Sequence, residues 1–213
     1  AGKLLGSFAL TEPSAGSDPA SQTTKAVKDG DSYVINGTKM FVTSGKSSDL
    51  TVVTGYTDRE KKHRGISAFV VEKGTPGFYV GKEEDKMGLR ASDTAELIFE
   101  DCRVPSENLL GQEGDGFVIA MASLDGGRIG IASQSTGLAQ ACLDASVSYA
   151  KERVQFNKTI SRFQGIRWMI ADMATQIEAA RLLTFNAAAM KDRGENFSGA
   201  ASMAKVFASE MAN

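Results

Sequence analysis

One histidine, one tryptophan and two cysteines are all that this 213-residue chain holds of the residues most used in metal centres and catalytic dyads. Cys102 and Cys142 stand far apart with no Cys-x-x-Cys spacing, which supports neither a disulfide framework nor a zinc site and suits a reducing compartment. His63 lies in Arg59-Glu-Lys-Lys-His-Arg64, a charged stretch without the apolar surroundings that tune an imidazole, so it reads as a solvated loop. An excess of one charge is missing too: a formal net charge of -2 argues against the concentrated basic face of a nucleic-acid binder. No run approaches the ~20 apolar residues of a bilayer span. Ala1-Gly-Lys-Leu-Leu-Gly is too short for a signal peptide, and Ala1 without a preceding Met suggests a processed or excised start. What is left is a soluble small-molecule protein, 42% hydrophobic, long enough for one large domain or two small ones.

Proline and glycine are unevenly spread. All four prolines lie in the first half, and only Gly165, Gly194 and Gly199 of the 22 glycines follow residue 140, so the architecture changes along the chain. The first half predicts antiparallel strands at Tyr33 to Ile35, Lys39 to Thr43, Leu50 to Tyr56, Ile66 to Val71, Phe78 to Val80 and Ala95 to Phe99. Asp29-Gly30, Asn36-Gly37 and Gly74-Thr-Pro-Gly77 separate them, Asn36-Gly37 being the usual type I′ hairpin signal. From Gly116 on, apolar residues recur at helical spacing and predict helices over about 116–153, 162–192 and 198 to the end, with Ser198 as N-cap and Met169, Met173 and Met190 as core filler. The last helix shows no stop signal before Asn213. The class is α+β, a small sandwich or barrel followed by part of a helical bundle, divided at 1–110 and 111–213.

Two stretches carry candidate chemistry. Phe8-Ala-Leu-Thr-Glu-Pro-Ser-Ala-Gly-Ser-Asp18 is a short apolar run breaking into a turn with hydroxyls at Thr11 and Ser17 and a carboxylate at Glu12. Such a junction points backbone N–H groups into one space, although Gly, Pro, Ser and Asp also make ordinary surface turns. Phe41-Val-Thr43 closes an alternating run that places Lys39, Phe41 and Thr43 on one face. Phe41 as plain core and Thr43 as a surface strand residue remain the alternatives. A third stretch, Leu124-Asp-Gly-Gly-Arg-Ile-Gly-Ile-Ala132, sets two adjacent glycines in a helix, each costing about 1 kcal/mol against Ala. Close approach of a ligand, a kink or a tight helix crossing would each account for them.

The pattern Thr-Glu-Pro-x-x-Gly-Ser-Asp, then Ile-Asn-Gly-x-Lys-x-Phe-Val-Thr, resembles the flavin-binding core of the acyl-CoA dehydrogenase family. Glu84-Asp-Lys-Met-Gly-Leu-Arg90, Phe99-Glu-Asp-Cys-Arg-Val-Pro105, Asn108-Leu-Leu-Gly111, Gly116-Phe117 and Arg153 with Gln164 follow in family order. The resemblance runs essentially from Ala1 to Asn213 and looks most like the short-chain, butyryl-CoA-like branch. It implies the middle β domain and a partial C-terminal helical domain, with an N-terminal α domain and the last helices missing.

The resemblance further implies FAD-dependent α,β-dehydrogenation of a short-chain acyl-CoA to the trans-2-enoyl-CoA, with electrons passed to an electron-transfer flavoprotein. Cofactor-binding residues would be Phe8, Leu10, Thr11, Ser17, Phe41, Val42, Thr43, Arg153, Phe156 and Gln164. Phe41 stands where many relatives carry Trp, and Phe156-Asn157-Lys158 replaces the family's usual Phe-Gly. Substrate contacts would be Ser17, Asp125, Gly126, Gly127 and Arg128. Some branches carry the catalytic Glu at the position of Gly127, others beyond Asn213, so no catalytic base is expected in this chain and Asp125 is a poor substitute. Arg153 and Gln164 would reach the FAD of an adjacent subunit, implying a homo-oligomer, a tetramer, in the bacterial cytoplasm or the mitochondrial matrix. Nucleic acid, a membrane span and a metal are not expected. The alternatives are an acyl-CoA oxidase or enoyl-CoA reductase on the same scaffold, or a flavin-free interaction module.

Overall fold

The computed structural model describes residues 2–213. The chain divides into two compact units, one up to Met121 and one from Ala122 onward. The first holds strands β1 Gly6–Ala9, β2 Lys25–Asp29, β3 Ser32–Thr43, β4 Leu50–Tyr56, β5 Ile66–Glu72, β6 Phe78–Glu83, β7 Thr94–Pro105 and β8 Leu109–Leu110, with β-branched and aromatic residues concentrated in β3, β4 and β5. They make one eight-stranded sheet in the order β6-β7-β3-β2-β4-β5-β8, with β1 alongside β4. The sheet is not wholly antiparallel, as the hairpin signals had implied. β1 runs parallel to β4, with Phe8 opposite Val52, because the chain between them is long enough for a crossover. Tyr33, Ile35, Phe69, Leu97, Phe99 and Val104 belong to the core of this unit.

Asn36-Gly37 is not a hairpin turn. β3 runs through it, and the register against β7 slips there: Ile35 faces Cys102, but Gly37 faces Phe99. Asn36 holds this bulge with its side chain, donating to Asp101 Oδ1 at 3.1 Å and accepting from the Asp101 amide at 2.8 Å. Gly37 is dictated by a close approach, since a Cβ there would lie 2.3 Å from Thr24 Oγ1. The β2–β3 hairpin turns instead around Gly30, at φ +60°.

Helix α1 spans Gly116–Glu152, α2 Gln164–Asp192 and α3 Ser198–Met211, with a small hairpin of β9 Val154–Gln155 and β10 Lys158–Thr159 between the first two helices. The helical unit is cored by small residues, Ala132, Ala180, Ala187, Ala201, Ala204 and Ala208, which let helices approach closely. The methionines are not its filler: Met169 is 63% exposed, and Met173 and Met190 are only partly buried. Nor does Ser198 cap α3. Phe197 occupies the cap without a side-chain bond, and the Ser198 hydroxyl donates instead to Asp125 Oδ1 at 3.0 Å. Among the described residues no helix is long and apolar enough to cross a membrane.

Candidate functional site

In the first unit the chain leaves β1 at Ala9 and turns sharply. Glu12 and Ala15 exchange backbone hydrogen bonds, at 2.9 Å from the Glu12 amide and 3.1 Å from the Ala15 amide, closing a tight loop over Pro13-Ser14. The Met40 amide donates to the Thr11 carbonyl at 2.8 Å, so the turn is tied directly to the end of β3. The two stretches singled out in the sequence are therefore joined.

The alternation predicted for β3 fails at that end. Lys39 lies opposite Leu97 and Val42 opposite Ala95, so the Lys39-to-Val42 step of β3 spans one residue more than the matching step of β7. Leu97 and Ala95 are both fully buried, and this bulge turns Lys39 and Val42 to the same buried side. Phe41 absorbs the extra residue in a left-handed conformation, φ +56°, with 61% of its surface exposed. Thr43 is exposed as well. Lys39 thus does not share a face with Phe41 and Thr43: it lies inside, and they lie outside.

Beneath this surface Lys39 and Glu12 form an ion pair at 2.9 Å with both side chains fully buried. Lys39 Nζ also donates to Leu10 O at 3.1 Å, to Gln22 Oε1 at 3.0 Å and toward Thr54 Oγ1 at 3.3 Å. Glu12 is held further by the Thr23 amide at 2.5 Å, the Thr23 hydroxyl at 2.8 Å and the Thr24 amide at 3.1 Å. Burial pushes the Glu12 carboxyl up, but the Lys39 charge and the hydrogen bonds from Thr24, Lys39 and Thr23 outweigh it and hold it at about 2. Burial pulls the Lys39 ammonium down to about 8 against the opposing pull of Glu12. The pair is ionic at neutral pH. The two shifts imply opposite effects on stability, and the carboxylate, with three donors besides Lys39, is the better compensated partner.

On the outer side, the hydroxyls of Thr11, Thr43 and Ser17 engage no other described residue. Phe8 and Leu10 are half-buried, and Val42 is buried behind Phe41. An exposed aromatic ring and hydroxyls that engage no other described residue are the groups that suit a flat aromatic heterocycle with a polar edge. Neither Glu12 nor Lys39 was singled out as a site residue from the sequence, although both letters stand in its patterns; a Lys in an alternating run reads as solvent-facing unless the bulge is known.

The helical unit carries the other candidates. α1 runs unbroken through Asp125, Gly126, Gly127 and Arg128, so the glycines do not interrupt it. A Cβ on Gly127 would meet nothing within 4 Å, and one on Gly126 only the flexible end of Lys191 at 3.3 Å, so packing among the described residues does not call for bare backbone there. Asp125 is engaged, accepting from Arg128 Nη1 and from the Ser198 hydroxyl. Arg153 follows the end of α1, and Gln164 begins α2; both are exposed, and their side chains engage no other described residue. Phe156 and Asn157, at φ +52° and +57°, form the tight turn between β9 and β10, and Phe156 is 86% exposed. The change from Phe-Gly is thus accommodated by Asn, which tolerates this conformation. His63 is exposed, its ring 5.5 Å from that of Phe117.

Comparison with known proteins gives this surface a family. Residues 7–102 match the acyl-CoA dehydrogenase middle domain, and residues 114–213 match the acyl-CoA dehydrogenase C-terminal domain. The chain is 51% identical over 212 residues to a short-chain specific acyl-CoA dehydrogenase of Megasphaera elsdenii, covering 99% of this chain and 55% of that protein. It is 53% identical over 213 residues to an acryloyl-CoA reductase (NADH) of Anaerotignum propionicum, covering 99% of this chain and 54% of that protein. Among solved structures, a chain from a study of the electron transferring flavoprotein of Acidaminococcus fermentans and flavin-based electron bifurcation superposes with a TM-score of 0.96 at 58% identity, covering 99% of this chain and 55% of that one. The chain thus spans about half the length of the relatives it matches. With two adjoining domain matches and a backbone that follows solved relatives over nearly its whole length, the chain belongs to the acyl-CoA dehydrogenase family.

Proposed function

We propose that this chain supplies the flavin-facing wall of an FAD-dependent enzyme that oxidises a short-chain acyl-CoA between Cα and Cβ and passes the electrons to an electron-transfer flavoprotein. One observation carries the reading. Phe41 holds a strained left-handed backbone while 61% of the residue stays exposed, and the hydroxyls of Thr43, two residues on, and of Thr11, whose carbonyl accepts from the Met40 amide, engage no other described residue. Strain of this kind, with little burial in return, is concentrated at ligand-facing positions.

FAD fits the residues present by the chemistry of their donors. Phe41, with Phe8 and Leu10, offers an apolar wall that excludes water, and Thr11 and Thr43 offer hydroxyls that can donate or accept. When bound, FAD would supply the acceptor for the hydride that leaves Cβ. Ser17 is assigned to the phosphate-bearing arm of CoA, and Asp125, Gly126, Gly127 and Arg128 to the acyl-CoA chain. Arg153, with Phe156 and Gln164, is assigned to the flavin dinucleotide of a neighbouring subunit, because an unpaired guanidinium can donate two hydrogen bonds to a pyrophosphate. That assignment requires a homo-oligomer, proposed as a tetramer, and the functional domains are proposed at 1–110 and 111–213. The proton acceptor is assigned outside these residues: Gly127 carries no carboxylate, and the Asp125 carboxylate is already held by Arg128 and Ser198. The bacterial cytoplasm and the mitochondrial matrix both suit the reading, since bacterial and mitochondrial relatives are about equally similar.

The 53% identity to an acryloyl-CoA reductase favours a second reading, the same bond reduced rather than oxidised. Both readings need the same wall. Titrating FAD into the chain and following flavin fluorescence tests it, with saturable quenching expected and affinity about tenfold weaker in Thr43→Val and Phe41→Gly. Equal affinity in all three proteins would remove Phe41 and Thr43 from the site. Oxidation of the reduced enzyme by an electron-transfer flavoprotein, against NADH consumption with acryloyl-CoA, separates dehydrogenase from reductase.

A further inference from the structure

Lys39 is a fully buried charge that the proposed chemistry does not use, and its placement is unusual in what it connects. Its ammonium meets Leu10 O and Glu12 Oε1 from the turn after β1, Gln22 Oε1 from the segment before β2, and Thr54 Oγ1 on β4. Three segments remote in sequence from β3 are thereby fixed at one atom. Two of the contacted residues, Leu10 and Glu12, flank Thr11, and Lys39 itself stands two residues before Phe41.

A buried ion pair is weak evidence for stability, because similar-sized apolar residues fill such a space equally well. An ammonium with directed N–H bonds sets distances in a way that apolar packing does not. Here it holds Leu10 and Glu12 on one side and the bulge on the other, while the Met40 amide reaches the Thr11 carbonyl across the same gap at 2.8 Å. Thr54 also donates to Gln22 Oε1 at 3.0 Å, so the acceptors are themselves held in place.

We propose that Lys39 is a positioning residue whose buried ammonium, bridging Leu10, Glu12 and Gln22, sets the spacing between the Thr11 turn and the Phe41–Thr43 bulge and thereby the affinity of that wall for its ligand. The ligand clause rests on the flavin reading above; the spacing clause does not.

The test compares the 213-residue chain with Lys39→Met and with the double variant Glu12→Gln/Lys39→Met. Urea unfolding gives global stability, amide hydrogen exchange at Met40 reads the spacing, and FAD titration reads the wall. The single variant loses stability because it strands the Glu12 charge. The double variant regains wild-type stability, yet its Met40 amide exchanges about tenfold faster and FAD binds about tenfold more weakly. Wild-type exchange and wild-type FAD affinity in a stable double variant would reduce the pair to ordinary packing and overturn the proposal. Should the double variant not fold, Glu12→Asp keeps both charges and shortens the arm by one methylene. Faster Met40 exchange in it then supports the positioning role, and wild-type exchange overturns it. If the wild-type chain itself binds no FAD, the flavin reading fails while the exchange comparison still decides the role of Lys39.

Discussion

Replacing Phe41 with glycine separates a ligand wall from a core residue. At φ +56° an L-residue pays roughly 1–2 kcal/mol, which glycine does not. Glycine loses more backbone entropy on folding, about 0.5–1 kcal/mol. With 61% of Phe41 exposed, the covered remainder is worth about 1 kcal/mol, scaled from the roughly 1.5–3 kcal/mol of a fully buried side chain. These terms nearly cancel, so Phe41→Gly should change unfolding stability by less than about 1 kcal/mol. A core phenylalanine reduced to a small residue would cost about 3–5 kcal/mol. Urea unfolding followed by far-ultraviolet circular dichroism measures the difference, and the FAD titration on the same protein should show affinity about tenfold weaker. A stability loss in the core range, or unchanged FAD affinity, would refute the view that Phe41 serves a ligand rather than the fold.

Other perturbations follow from the same features. The folded Glu12 carboxyl is held at about 2 against an ordinary value of 4.5, so its contribution is complete above pH 4.5 and is lost as pH falls through 2. The loss amounts to about 3 kcal/mol, and urea unfolding across that window should show it in the wild type but not in Glu12→Gln/Lys39→Met. Lys39 gives the same sign of slope in a different window: with its folded value lowered to about 8, stability rises as pH rises from 8 to 10.5, because burial disfavours its charge at neutral pH, and the acid limb is left to Glu12. Gly127→Ala has open space for its methyl and should raise the melting temperature of the helical unit, since Ala gains about 1 kcal/mol over Gly inside a helix. If that variant melts lower, something unaccounted for requires bare backbone at this point.

The helices were legible in the sequence because their apolar period persists over many turns: α1 Gly116–Glu152 and α2 Gln164–Asp192 lie within two residues of the limits that the period implies. Strand β4 Leu50–Tyr56 was equally plain, being flanked by turn residues on both sides. What the pattern concealed were two register shifts between β3 and β7, with the extra residue on β7 beside Asn36-Gly37 and on β3 at Phe41. Asn36-Gly37 looks like a hairpin turn because the same residues serve both purposes, and only the Asp101 contact and the approach of Thr24 make it a bulge. The extra residue at Phe41 reverses the facing of Lys39, so strict alternation misplaced the charge and hid its pairing with Glu12. Both failures have one cause: register depends on a partner strand that lies more than fifty residues later in the chain. The motif residues Thr11, Phe41 and Thr43 were found through family resemblance, because their unengaged side chains leave no trace in hydrophobic period.

The most direct test is an anaerobic visible spectrum of the FAD-supplemented chain, recorded before and after butyryl-CoA is added. A flavin band shifted and structured by the apolar wall is expected. It should persist after the thioester is added, because Asp125 is occupied by Arg128 and Ser198 and Gly127 offers no carboxylate. A spectrum identical to free FAD would contradict the flavin wall at Thr11, Phe41 and Thr43. Bleaching by butyryl-CoA would leave the wall standing and place the proton acceptor within these residues, with Asp125 the first to be replaced.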